Sequence, residues 1–134
     1  MKHKKTIDLI KDEVSRENSI SFAYIFGSVA KGTTGPLSDI DVAIFLSAKN
    51  KGKRHKIVEN LADFKGPDHI DVVVLNDAPL LMQFNVIKDG ILIKDSKERR
   101  NFEYLTMNRY LDNEYHERLS AKIGLARIAE KGLA

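Results

Sequence analysis

The chain has 134 residues, 43% of them apolar, a formal net charge of +3 and no cysteine. That length gives one domain with one sizeable core, and that apolar fraction excludes wholesale disorder. The absence of cysteine excludes disulfides, thiolate metal sites and cysteine nucleophiles, and so small a charge does not argue for nucleic acid as a ligand.

The N-terminus, Met1-Lys2-His3-Lys4-Lys5, is basic, but charges continue through Glu13, so no apolar signal-peptide segment follows. No stretch is apolar for long enough to span a bilayer, and a soluble cytoplasmic protein is expected. Residues 6–17 place Ile7, Ile10 and Val14 on one helical face, and Asn18-Ser19 stops that helix. Ile20 to Phe26 is an aromatic and β-branched run that predicts a strand ended by Gly27. Ser28 to Lys31 can form a short helix, with Ser28 as its N-cap and Gly32 at its end, before a Gly35-Pro36 loop.

Ile40 to Leu46 predicts a second strand. The basic run from Lys49 to Lys56, interrupted by Gly52, reads as a solvated connection rather than a binding patch. Ile57, Val58, Leu61 and Phe64 space as a helical face, closed by Gly66-Pro67. A third strand runs from Ile70 to Leu75. Asp77 can cap the next helix, with Pro79 in its first turn and Leu80, Phe84 and Ile87 as its buried face. Gly90 ends that helix and Ile91 to Lys94 is a fourth short strand. From Glu98 to about Glu130 the chain reads as one helix, with Tyr104, Met107, Leu111, Tyr115, Leu119 and Ile123 as an apolar stripe. The back of the sheet is its expected partner, although a helix this long on so small a domain overhangs, which favours a second molecule. The expected fold class is α/β: a small mixed β-sheet packed by helices, with a long C-terminal helix. The expected division is a single domain over 1–134, with a core at 18–95 and a helical extension at 98–131.

The chemistry concentrates between residues 27 and 41. Gly27 lets backbone approach a phosphate without a Cβ in the way, and Ser28 offers a hydroxyl and the first N–H groups of a short helix. Ten residues later come Asp39 and Asp41, which alternation along a strand puts on one face, on the order of 7 Å apart. Two acids so close repel unless a cation sits between them, and Mg²⁺ takes carboxylates together with substrate phosphates. Asp71 repeats the placement at the head of the third strand. If the second and third strands are neighbours, three carboxylates meet at one edge. They could then hold two metals roughly 4 Å apart, as in-line phosphoryl chemistry uses. Asp71 could also take the proton of an attacking hydroxyl. Each aspartate alone is also a common turn residue; the joint placement is what points to nucleotidyl transfer from a nucleoside triphosphate. Neither the Gly-Lys-Ser/Thr phosphate loop nor the Gly-x-Gly-x-x-Gly fingerprint is present.

The pattern Gly27-Ser28, ten residues, Asp39-x-Asp41 resembles the signature of the DNA polymerase beta-like nucleotidyltransferase superfamily, with Asp71 where that family supplies its third carboxylate. The short length is similar to that of the minimal nucleotidyltransferases (MNT domain). Ala78-Pro79-Leu80-Leu81 through Gly90-Ile91-Leu92, and Arg99-Arg100-Asn101-Phe102-Glu103 leading to Tyr110-Leu111-Asp112, resemble the MntA-type antitoxins. The resemblance implies the polymerase beta-like nucleotidyltransferase fold. It also implies ATP as substrate and Mg²⁺, with Gly27 and Ser28 on the triphosphate and Asp39, Asp41 and Asp71 on metal. The expected partner is a HEPN-type ribonuclease toxin, in a hetero-oligomer, silenced by transfer of AMP to a tyrosine. Where the superfamily often has Arg in the turn, this chain has Lys31.

With no region left for a template-binding or helical substrate domain, a templated polymerase is not expected. Two alternatives stay open: a small-molecule nucleotidyltransferase of the antibiotic-modifying sort, and an antitoxin that masks its partner by contact. Arg109 and His116 match the Arg…His spacing of HEPN nucleases, but those domains are all-helical, and the match reads as coincidence. His3, His55 and His69 form no ligand cluster by spacing.

Overall fold

The structure, a computed structural model, describes residues 4–27, 30, 40–47, 52–63 and 69–130, with side chains to 124. Its elements in chain order are α1 (Lys4–Arg16), β1 (Ile20–Phe26), β2 (Ile40–Leu46), α2 (Arg54–Ala62), β3 (Ile70–Val74), a 3₁₀ turn (Leu75–Asp77), α3 (Leu80–Asp89), β4 (Ile91–Lys94) and α4 (Lys97–Glu130). Four strands form one sheet in the order β3-β2-β1-β4. β1 pairs antiparallel with both β2 and β4, whereas β2 and β3 are parallel, so the sheet is mixed as expected. A parallel pair needs a crossover, and α2 lies in it.

Two apolar layers cover the sheet. On one face Ile10 and Val14 of α1 and Ile57 and Leu61 of α2 pack against Ala23, Ile25, Ile40, Val42 and Ile44. On the other, Phe22, Tyr24, Ala43, Leu75 and Val86 form a smaller cluster with Phe26, Phe45 and Phe102 against it. A register shift between Ile20 and Phe22 lets Ile20 and Ala23 share the first face. The Phe22 and Phe45 rings stack at 4.7 Å, and Phe102 of α4 tilts against both.

Polar contacts fix α4 and α1 to this frame. Ser21 donates to Glu98 at 2.8 Å, and Tyr24 donates to Glu103 at 2.5 Å. Glu103 also takes Arg99 at 3.1 Å, and Arg99 bonds Asp95 at 2.6 Å. Burial, followed by the hydrogen bond to Glu103, pushes the Tyr24 phenol well above its ordinary range. Lys94 donates to the carbonyls of Val14 and Glu17, both at 2.9 Å, at the C-terminal end of α1 where a cation suits the helix dipole.

Several expectations need correction. Asp77 does not cap α3: it sits in the 3₁₀ turn and takes both guanidinium nitrogens of Arg54, at 2.5 and 2.8 Å, while Pro79 occupies the N-cap position. β3 ends at Val74 because Leu75 opens that turn. The buried face of α3 carries Gln83 and Val86, not Leu80, Phe84 and Ile87, which are partly exposed. Gln83 is drawn in because its amide donates to the Leu75 carbonyl at 2.8 Å. Phe84 turns instead to Tyr110 of α4, with the rings 3.7 Å apart and nearly parallel. Residues 54–56 of the basic run form the first turn of α2. The largest departure is α4. Phe102 and Thr106 pack on the body, whereas Tyr104, Leu111, Tyr115, Leu119 and Ile123 are exposed. The expected partner of that stripe, the back of the sheet, is already covered by α3 and the first turns of α4.

Candidate active site

The parallel pairing of β2 and β3 starts with Ile40 opposite Ile70 and Asp41 opposite Asp71. The Ile40 N–H donates to the His69 carbonyl at 2.9 Å, which ties the heads of the two strands together. Ile40, Val42 and Ile44 lie in the α1–α2 layer, so alternation puts Asp41 on the opposite face, with Ala43 and Phe45. Asp71 shares that face by register. Two carboxylates therefore project from adjacent strands at one edge of the sheet, about 5 Å apart at the backbone. His69 reaches Asp71, with Nε2 3.0 Å from Oδ1.

The third strand of the edge is β1, where Phe26 is the register partner of Asp41. Gly27 follows with φ of +77°, a conformation that a residue with a Cβ resists. A Cβ at Gly27 would also run into the Asp41 carboxylate. The glycine thus does two things: it turns the chain, and it brings the turn's backbone against an acid.

Ser28 and Asp39 lie outside the described residues, as do Lys31, Gly32, Gly35, Pro36, Phe64 and the Gly66-Pro67 pair. Among the described residues, no group of three or more His, Asp or Glu could hold a metal ion. The described part of the donor set fits a hard cation, because Asp41 and Asp71 are oxygen donors on one face of paired strands. His69 is the residue that sequence reasoning passed over. Its signal was available, since a position two before Asp71 shares its face on an extended chain.

An open cleft of about 630 Å³ borders this edge on the β1 side, running from Phe26 and Gly27 along α3 past Met82 and Asn85. Arg109 and His116 are exposed positions on α4, in a fold that is not all-helical. Among the described residues no helix is long and apolar enough to cross a membrane.

Two carboxylates thus meet on parallel strands beside a glycine turn. The family model "Polymerase beta, Nucleotidyltransferase" matches residues 8–99, and the chain belongs to that family. No curated protein matches the chain. Among solved structures, a chain of a toxin–antitoxin crystal structure with AMP-PNP superposes with a TM-score of 0.66 at 21% identity, covering 93% of this chain and 99% of that one. A crystal structure from Shewanella oneidensis gives 0.64 at 17% identity, covering 91% and 98%. A complex of a tri-AMPylated Shewanella oneidensis HEPN toxin with its MNT antitoxin gives 0.59 at 19% identity, covering 92% and 95%. At these identities the likeness establishes the shared fold.

Proposed function

We propose that this chain is a single minimal nucleotidyltransferase domain that moves AMP from ATP to a hydroxyl, a tyrosine of a HEPN-type toxin, and so acts as that toxin's antitoxin. The observation that carries the reading is the pairing of Asp41 with Asp71 beside Gly27. Family membership supports the transfer chemistry. The toxin–antitoxin neighbours, one with AMP-PNP and one with an AMPylated HEPN toxin, support the donor and the acceptor.

In this reading Gly27 and Ser28 receive the triphosphate through backbone N–H groups and a hydroxyl. Asp39, Asp41 and Asp71 would hold two Mg²⁺ ions. When bound, the ions supply charge neutralisation of the phosphates and acidify the attacking hydroxyl. Asp71 takes the hydroxyl proton. The hydroxyl oxygen forms a bond to the α-phosphorus, the bond from that phosphorus to the bridging oxygen breaks, and pyrophosphate leaves with the electron pair. His69 holds Oδ1 of Asp71 and so orients its second oxygen toward the acceptor.

The exposed stripe of α4 is the surface that remains for the acceptor protein, in a cytoplasmic hetero-oligomer. It also favours a second reading, masking of the toxin by contact without transfer. Co-expression with the product of the neighbouring gene, followed by intact-mass measurement, separates the two. The transfer reading expects a mass increment of one or more AMP groups that disappears with Asp41→Asn and with Asp71→Asn. Neutralisation of the partner with no mass change in wild type sinks it and leaves masking.

A further inference from the structure

A cleft of about 480 Å³ opens beside the first turns of α4. Phe45 near the end of β2, Asn76 in the 3₁₀ turn and Gln83 on α3 form its other walls. Phe45 stands four residues after Asp41 along β2, about 13 Å away. Asn76 stands five residues after Asp71, beyond the end of β3. The cleft therefore lies at the opposite end of these strands from the two carboxylates.

Its walls have three chemical parts. The floor is aromatic: the Phe45 and Phe102 rings, 5.2 Å apart, are both partly exposed, and Leu105 extends the apolar surface. The second part is an acceptor. Gln83 is only 7% exposed, and its Nε2 donates to the Leu75 carbonyl at 2.8 Å, which fixes the amide. Its Oε1 takes no hydrogen bond among the described residues and is not sealed off, so it is free to accept at the cleft wall. The third part is charge. Arg109 and Lys97 stand twelve positions apart on α4, about 18 Å along the helix, and so mark opposite ends of the cleft. Neither makes an ion pair among the described residues. The Glu98 carboxylate also lines the cleft, near Lys97, with its Oε1 taken by the Ser21 hydroxyl at 2.8 Å. The Arg109 end is thus the one that favours an anion.

These parts select a ligand. A flat ring stacks on Phe45 and Phe102. A hydroxyl or amine on that ring donates to Gln83 Oε1. A carboxylate or phosphate takes the planar fork of Arg109. The volume is that of a small-molecule site. We propose that this cleft binds an aromatic acid, a ring with a hydrogen-bond donor on one side and a carboxylate or phosphate on the other, at a site separate from the transfer chemistry. Gln83 recognises the donor and Arg109 the acid. A ligand seated there touches β2, the 3₁₀ turn, α3 and α4 together, so its binding stabilises the seat of α4 on the body.

The test is titration of the full chain, without Mg²⁺ or nucleotide, followed by amide chemical shifts. The probes are 4-hydroxyphenylacetate, the neutral alcohol tyrosol, 4-methoxyphenylacetate, which lacks the donor, and 4-hydroxybenzylphosphonate. The hydroxyphenyl acids should move the signals of Asn76, Gln83 and Asn101. 4-Hydroxyphenylacetate should bind about tenfold more tightly than tyrosol or 4-methoxyphenylacetate. Tighter binding of the phosphonate than of the acetate assigns a phosphate-type ligand, and the reverse a carboxylate; either supports the site. Arg109→Gln should weaken both acids about tenfold and leave tyrosol unchanged. Asn101→Trp, which crowds the cleft, should weaken all four probes. Both positions are exposed, so the variants are expected to fold as wild type does. Absence of shifts around the cleft with every probe overturns the inference. So does equal affinity for acid and alcohol, or binding of the acids that Arg109→Gln leaves unchanged. None of these readouts involves AMP transfer, so the site stands or falls independently of the proposed function.

Discussion

Gly27 carries two constraints at once, a φ of +77° and the carboxylate of Asp41 where its Cβ would be. Relief of the contact would have to come from the acid, which is the group the proposed chemistry needs in place. Gly27→Ala should therefore cost at least about 1 kcal/mol through the backbone alone. It should also abolish AMP transfer in the partner-mass experiment. A variant with unchanged unfolding midpoint and full transfer would show that neither constraint matters. Thr106 is a different kind of residue. It is almost fully buried on α4, and its hydroxyl is the one buried side-chain polar atom among the described residues with no hydrogen-bond partner. Thr106→Val keeps the shape and removes the unmet group, so it should raise stability by about 1 kcal/mol in denaturant titration. A loss of stability would mean that the hydroxyl has a partner after all. Asp41 and Asp71 could be singled out from the chain because strand alternation is simple. Gly27 against Asp41 is a contact across space that only folding reveals, whereas His69 stands two residues before Asp71 and shares its face on the strand.

At the scale of elements, the strands were the easiest to read. Ile20–Phe26, Ile40–Leu46 and Ile91–Lys94 have the bounds that their β-branched and aromatic runs suggest; the first two stay apolar because both of their faces are covered, whereas the third is a short, partly exposed edge strand. Helix α3 was read one step out of phase. Several of its faces carry apolar residues, so its spacing alone could not say which face turns inward. The Leu75 carbonyl claims Gln83, and Tyr110 claims Phe84, which sets the rotation. That stack should behave as a coupling between α3 and α4. In a double-mutant cycle of Phe84→Leu and Tyr110→Leu, the two changes should be non-additive by about 0.5–1.5 kcal/mol. Strict additivity would show that the rings merely lie near one another.

For the whole molecule, the long helix decides the shape. Its first turns belong to the body: Phe102 packs on Phe22 and Phe45, and Glu98 and Glu103 bond β1. From Leu111 to Ile123 its large apolar side chains are exposed, Tyr115 by 63% and Leu111 by 57%. Stability should follow that division. Phe102→Ala should cost about 2 kcal/mol or more, whereas Leu111→Glu combined with Leu119→Glu should stay within about 0.5 kcal/mol. The same double variant should fail to co-purify the proposed toxin partner if the stripe is its docking face. A large stability loss from the stripe variant would mean that these residues are covered in the free protein.

The sequence by itself determined the order of the four strands and the main helices, the mixed α/β class, the turn at Gly27, and Asp41 and Asp71 at the heads of their strands. These follow from local periodicity and from the few backbone positions that favour glycine. The tertiary structure decided the pairing of β2 with β3 that aligns Asp41 with Asp71, the inward face of α3, and the exposure of the α4 stripe. Each of these depends on what a surface meets, and a helix or strand carries no record of its partner beyond an apolar face. The sheet's second face was already filled by α3 and the start of α4, so the rest of the stripe has nothing among the described residues to cover it.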